Sequence, residues 1–435
     1  MSETTFSTLD DWIAQDAIPF SLDNPASLNS AIDRMMASLG PEVQLLGLGE
    51  AMHGGEEFLL LRNRMFERLV EAHGFTAIAL ESSFPRGRWV NEYIAGNLDI
   101  PNYEAIEERG FSHNFGKLAT SRELVEWMRH YNATCDENAK LRFYGFDSPT
   151  EMAYSDSPRQ LLTFSVDFLA AVDYPDVGKL RGNIDALLGN DAGWENPEAN
   201  WDATKSIGLS VNATSLRIAT EDLIAIFQTN RPEFVAKSSP DRFAEAFRYA
   251  THARQMLNYH ATAARQADNR MSDLLGQRDA MMAENLAYIV RRERRRAGRV
   301  LVFAHNAHLQ RGLAEWTWGP HCWRWWPAGA QASAMLREKY AVIGTAVGVS
   351  EPNGIGAPEP GTLEARLTSS SGACFIPTHA GRNLPEANLA GLPVRTGSQR
   401  NTGYFPFTPK SFTDFDWFVM LDKVSYSRGG PQLPT

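Results

Sequence analysis

The stretch VQLLGLGEAMHGGEEF, Val43 to Phe58, begins as an apolar run and ends in glycines, carboxylates and a histidine. Residues 43–49 have the length and near-continuous apolar content of a strand buried on both faces. From about residue 56 to residue 72, helix formers follow with apolar side chains at helical spacing. Buried strand, glycine turn and helix together open a β-α-β unit, so the stretch predicts a parallel sheet. Gly49, Gly54 and Gly55 suit such a turn, because glycine admits positive φ and lets a neighbouring backbone or a ligand come close. Glu56 and Glu57 fit the first turn of the helix, where they complement its dipole. Glu50 precedes that turn and calls for another explanation.

Outward from this segment the same rhythm continues, with strand patterns at 76–81 and 141–146 and a helical pattern at 121–131. Between about 158 and 296 the strand signal vanishes, and long helical patterns cover 241–266 and 271–296, with a loop rich in Asn, Asp, Gly and Pro at 189–200. Strand patterns return at 299–304, 340–348 and 415–421. The expected fold is α/β, a mostly parallel central sheet flanked by helices with an inserted helical subdomain. It divides into residues 1–155 and 298–435 for the α/β core and 156–297 for the insertion. The tail, 427–435, is expected to be mobile.

A net charge of −10 argues against a general attraction to nucleic acid or to anionic membranes, which would need an extended basic face. The one basic run, Arg291 to Arg296, reads as the solvated carboxyl end of a helix. No secretory leader pattern opens the chain and no apolar run is long enough to span a bilayer, so a cytoplasmic protein is expected. Cys135, Cys322 and Cys374 lie far apart and receive no role. Nothing in the sequence fixes the oligomeric state.

The ends of the strand patterns share a property. The first finishes at Glu50 and His53, the second at Glu81, the third at Asp147, and the strand after the helical section at His305 and His308. In open parallel sheets ligands bind outside the carboxyl ends of the strands, so these residues are expected to meet in one cleft. Asn306 is a favourable helix cap, which would leave His305 at the strand end and His308 in a first turn. His73, His113, His130, His252, His260, His321 and His379 lack such context and read as structural or surface residues.

The segments around Glu50 and His53, Glu81-Ser82, Gly145-Phe146-Asp147 and Ala304-His305-Asn306-Ala307-His308, in that order and at those separations, resemble the erythromycin esterase family. The resemblance runs over about residues 43–349. It implies an α/β core with a helical insertion and hydrolysis of the macrolactone ester of erythromycin-type antibiotics with no metal or other cofactor. It also implies functional roles for Glu50, His53, Arg62, Glu81, His305 and His308. Met52 departs from the pattern, since members commonly carry a hydroxyl residue before the histidine, and the tryptophan-rich segment 316–326 is an addition. Relatives are associated with exopolysaccharide biosynthesis as well, so a non-catalytic accessory protein of this fold is the alternative of another class.

Ester hydrolysis needs a nucleophilic water, stabilisation of the oxyanion and a proton for the leaving alkoxide. Histidine suits the first task because its ordinary pKa lies near working pH. His53 is the expected base, with Glu81 or Glu50 orienting it, Arg62 holding a carboxylate or facing the oxyanion, and His305 and His308 as candidates for oxyanion contact and leaving-group protonation. The chain has no Gly-x-Ser-x-Gly elbow, which disfavours a covalent route through Ser82 or Ser83. The residues alone leave a metal hydrolase open, because histidines with two glutamates form a ligand set that zinc or manganese accepts. Asp147 is an expected substrate contact. Trp316, Trp318 and Trp323 belong to a cluster that would serve as an apolar wall for a bulky amphipathic ester, or else pack a lid or a dimer contact.

Overall fold

The computed structural model describes residues 8–431 except 98, 149, 152, 153, 382, 383, 385 and 399. The chain opens with α1 (Leu9–Asp16), β1 (Ile18–Pro19) and α2 (Pro25–Leu39). Then come β2 (Leu45–Glu50), α3 (Glu56–His73), β3 (Phe75–Ser83), α4 (Phe84–Ala95), α5 (Ala119–Ala133) and β4 (Arg142–Asp147). Two short strands, β5 (Thr150–Glu151) and β6 (Tyr154–Ser155), pair with each other before the helical stretch. That stretch comprises α6 (Arg159–Ala171), α7 (Val177–Leu188), α8 (Val211–Thr229), α9 (Arg231–Lys237), α10 (Pro240–Ala263) and α11 (Arg270–Arg294). The sheet resumes with β7 (Arg299–His305), followed by α12 (Asn306–Leu309) and a hairpin of β8 (Ala314–Trp318) and β9 (His321–Trp325). β10 (Tyr340–Val349), β11 (Cys374–Pro377) and β12 (Trp417–Lys423) complete it.

Eight strands form the main sheet in the order β1-β11-β12-β10-β2-β7-β3-β4. β12, β10, β2, β7, β3 and β4 run parallel, and the edge strands β11 and β1 are antiparallel to their neighbours. The mostly parallel sheet is therefore as the apolar runs predict. The edge pair escapes sequence reading because each member is short and holds a proline. Successive residues of the central strands feed opposite cores: Val300, Val302 and Ala304 pack with the helices α6, α8, α10 and α11, while Leu301 and Phe303 pack with α2, α3, α4 and α5. Among the described residues no helix is long and apolar enough to cross a membrane.

The glycines after β2 have distinct duties. A Cβ on Gly49 would sit 2.1 Å from Asn306 Oδ1, so glycine there admits a side chain that in turn bonds Thr345 of β10 through both its amide groups. Gly54 has φ of 86°, which turns the chain into α3. Glu56 and Glu57 do occupy the first turn of α3, and they also hold the carboxyl-terminal segment: Arg428 donates to Glu56 and Ser425 to Glu57. Ser427 N–H donates to Gly54 O at 3.0 Å, so this part of the tail is docked; residues 432–435 lie outside the described ones.

Candidate active site

β2, β7, β3 and β4 are neighbours, and their carboxyl ends bring the expected ionisable residues to one edge. Glu50 is in register with His305 and Ser83 with Asp147. An irregularity in β3 between Leu80 and Ser83 falls at Glu81, where a bulge re-aims a side chain.

The turn after β2 folds His53 back onto Glu50, with Nδ1 2.6 Å from Oε1. Its Nε2 stands 4.0 Å from Glu81 Oε1, beyond hydrogen-bond reach but within the span of a bridging water. The His53 side chain is 46% exposed, whereas those of Glu50 and Glu81 are buried. Burial opposes charge on His53, yet the carboxylates of Glu50 and then Glu81 outweigh it and hold the ring above its ordinary value. Glu50 itself moves upward, since burial exceeds the attraction of His53.

His308, in the single turn of α12, is buried with both nitrogens facing carboxylates. Nδ1 lies 2.9 and 3.0 Å from the two oxygens of Asp279, and Nε2 3.3 Å from Glu81 Oε1. Two acceptors suit a doubly protonated ring. Against the cost of burial, Asp279 and Glu81 push His308 up to about 10. His305 is the opposite case. Its Nε2 lies 2.7 Å from Gly403 O, and its Nδ1 accepts from the Ala307 N–H at 3.2 Å as the cap of α12. One donor and one acceptor define the neutral ring, and burial with the nearby charge of His53 pulls it down to about 3.

Glu81 gathers donors from three directions: Arg278 Nη2 at 3.2 Å, the His305 N–H at 2.7 Å and His308. Burial would raise its pKa, but His308, His53 and Arg278 hold it well below the usual carboxylate range. Asp147 is wholly buried; Arg278 donates to its two oxygens at 3.0 and 2.6 Å, and His113 Nε2 lies 3.0 Å from Oδ2. That carboxylate is engaged by protein groups and anchors Arg278. Arg62 is buried, donating to Asn63 Oδ1 at 2.9 and 2.8 Å and to Thr120 O at 3.3 Å. Burial pulls it down to about 10, although Glu50 favours its charge. With Glu50 and Glu81 it lines a cavity of about 20 Å³ walled by Leu59, Phe115 and Phe303, enough for one water.

The tryptophans are arranged differently. On the β8–β9 hairpin Trp316 stacks with Trp318 and Trp323 meets both at a tilt, with Trp201 against Trp318, and Trp316 and Trp323 pack with Met271 and Leu275 of α11. The tryptophan that reaches the charged cluster is Trp325, whose Nε1 donates to Asp279 Oδ2 at 2.7 Å, while the Ala328 N–H donates to Oδ1 at 2.7 Å. The sequence pattern does not single out Arg278, Asp279 or Trp325, and His113, which reads there as structural or surface, is a partner of Asp147. A signal exists for the first two: they interrupt an α11 face otherwise made of Met271, Leu274, Leu275, Met282 and Leu286, where a charged pair must find partners. His113 is marked by nothing but a positive φ in a loop, which the sequence does not reveal.

As for metal donors, Glu81, Asp279 and His308 are turned on one another, and among the described residues no group of three or more His, Cys, Asp or Glu is placed to hold an ion.

Comparison with known proteins places this site in context. The chain is 24% identical to the type II erythromycin esterase of Escherichia coli over 69% of each protein, and 22% identical to the type I enzyme over 67% of this chain and 68% of that one. Among solved structures it is similar to a Bacillus cereus protein (TM-score 0.72, 18% identity, 98% of both chains) and to a succinoglycan biosynthesis protein (0.70, 17%, 96% and 97%). It is also similar to a mutant of the erythromycin esterase EreC in its open conformation (0.65, 19%, 92% and 97%). The erythromycin esterase sequence profile matches residues 70–424, which takes in Glu81, Asp147, Arg278, Asp279, His305 and His308 and leaves Glu50, His53 and Arg62 just ahead of it. With more than half of its length matched, the chain belongs to the erythromycin esterase family.

Proposed function

We propose that the protein is a carboxylic ester hydrolase that opens the lactone of a macrolide or of a comparably bulky ester by attack of water. The observation that carries this reading is the pair of Glu50 and His53, a half-exposed imidazole held by a buried carboxylate at 2.6 Å. With Nδ1–H given to Glu50, neutral His53 presents Nε2 as the base. It takes a proton from water lying between itself and Glu81; the water oxygen bonds to the acyl carbon, the carbon–alkoxide bond breaks, and the proton passes from His53 to the departing alkoxide. A group near 10 holds its proton at neutral pH, so His308 acts as a fixed positive charge beside the oxyanion and not as the acid. His305, neutral and bonded at both nitrogens, positions α12, and Arg62 balances Glu50 beneath the water cavity. Arg278 and Asp147 orient Glu81, and Asp279 orients His308. Trp316, Trp318 and Trp323 supply an apolar wall for a large amphipathic ester.

Incubation with macrolides of several ring sizes, followed by mass spectrometry, should give a product heavier by one water. An intact panel would remove the macrolide assignment, and loss of activity on chelation with recovery on adding zinc or manganese would replace the proposed water activation by a metal route. No turnover on a broad ester and lactone panel, with tight binding retained, would favour an accessory binding protein.

A further inference from the structure

The basic run at the end of α11 is part of something larger than a solvated helix end. Arg291, Arg292 and Arg295 face Arg231, Arg248 and Arg254 across a groove of about 540 Å³ formed by α9, α10 and α11. In a chain of net charge −10 this is a local reversal. Four carboxylates reach the six guanidiniums: Asp241 lies 2.9 Å from Arg295, Glu221 3.8 Å from Arg254, Glu245 3.9 Å from Arg292, and Glu284 stands in the wall.

Six cations face four carboxylates, and because Glu284 forms no ion pair among the described residues, three of the arginines stand without one. Arg231, Arg248 and Arg291 have no ion-pair partner among the described residues. Arg248 is buried on neutral acceptors, Asn285 Oδ1 at 2.8 Å, Thr251 Oγ1 at 3.2 Å and Met281 O at 3.4 Å. Burial pulls it down to about 10, with Glu284 opposing and Arg291 reinforcing. Arg231 lies 4.9 Å over the Phe243 ring, a contact that uses the face of the guanidinium and not its N–H edge. Two buried polar atoms of the lining, Arg292 Nε and Gln255 Oε1, lack hydrogen-bond partners. A buried arginine without an acid, beside a partnerless N–H, is costly unless a ligand supplies the missing acceptors.

We propose that this groove binds a phosphorylated small molecule carrying at least two negative charges, with Arg231, Arg248, Arg291 and Arg292 as its phosphate donors. Guanidinium forks match phosphate oxygens two at a time, which explains why all six cations are arginines. Phe243, Phe247 and Tyr288 offer the organic part an aromatic floor, and the volume suits a small-molecule site. The groove lies on the later turns of the helix whose earlier turns send Arg278 and Asp279 to the strand ends.

The test does not depend on hydrolysis. Isothermal titration calorimetry of the full chain with inorganic pyrophosphate, and with ATP as a phosphate-bearing organic probe, is run at an ionic strength held constant with sodium chloride. Saturable single-site binding of at least one probe is expected, accompanied by a rise in Tm. The exposed double variant R231E/R291E, checked for fold by circular dichroism, should weaken that binding about tenfold or more. Absence of binding by both probes, or binding undiminished in the double variant, would overturn the proposal.

Discussion

The turn after β2 and the turn after β7 bring histidines to the same edge of the sheet and leave them in different chemical states. His53 keeps one nitrogen on Glu50 and the other 4.0 Å from Glu81, too far for a direct hydrogen bond, with nearly half of its side chain exposed. His305 and His308 have every nitrogen committed, the first to two backbone groups and the second to two carboxylates. A group that is to move a proton must have somewhere to put it, which is why the proposed base is His53 in the first turn. In the proposed mechanism the second turn supplies fixed polarity. Residue type is the same in both places; exposure and partners decide the role.

The sharpest way to break this contrast is His53→Gln. Turnover should fall about 10²- to 10⁴-fold, the usual contribution of a general base, with Tm almost unmoved because the side chain is half exposed. If His53→Gln keeps its rate while His305→Gln or His308→Gln loses it, the two turns have been assigned the wrong way round. His379→Gln serves as the control and should change little.

Next in size is Asp279→Asn, which leaves the buried His308 with one carboxylate in place of two. Breaking such a pair costs roughly 3–5 kcal/mol, read as a lower midpoint in urea. The same pair gives a signed pH dependence. His308 is raised in the folded chain to about 10, so its stabilising effect is complete below its unfolded value of about 6.5. It is then lost as pH climbs toward 10. Tm should decline over that window, and His308→Gln should flatten the decline; an equally steep fall in the variant would mean that His308 is not the titrating group.

A smaller effect concerns the base itself. Because Glu50 is the main group holding His53 above its ordinary value against burial, the acid limb of kcat/KM should lie above pH 6.5 and move to lower pH in Glu50→Gln. A limb that stays in place would detach Glu50 from the base. The smallest expected change is from Trp318→Ala on the hairpin. KM for a bulky ester should rise by a few-fold with kcat unchanged, since the loss is one of binding common to ground and transition states. An unchanged KM would confine the tryptophans to packing on α11.

Much of this architecture is present in local sequence pattern. The run from Val43 to Leu48, the apolar stretch before His305 and the helical spacing of α10 and α11 specify buried parallel strands and long helices, because burial on both faces of a strand or one face of a helix leaves a period in the chain. Glu50, Glu81, Asp147 and His305 are legible for the same reason: each follows an apolar run near the carboxyl end of its strand, and parallel strands share one direction. The edge strands β1 and β11 are too short to show a period, and β8 and β9 are visible only as a cluster of tryptophans.

The partners of those strand ends are of another kind. A charged pair such as Arg278 and Asp279 looks like any solvated stretch of helix until it is known which face of α11 is covered, and that depends on strands distant in sequence. His113 and Trp325 sit in a loop and a hairpin whose positions are set by packing and not by any periodic pattern. The run of arginines after Val290 could be read as a helix terminus, but not as one wall of a groove whose other walls are α9 and α10. Sequence by itself determined the central parallel strands, the long helices and the residues at the strand ends, since hydrophobic burial acts on neighbours along the chain. Tertiary structure alone decided which histidine is free and which is locked, because charge state is set by desolvation and by carboxylates that reach the ring through space.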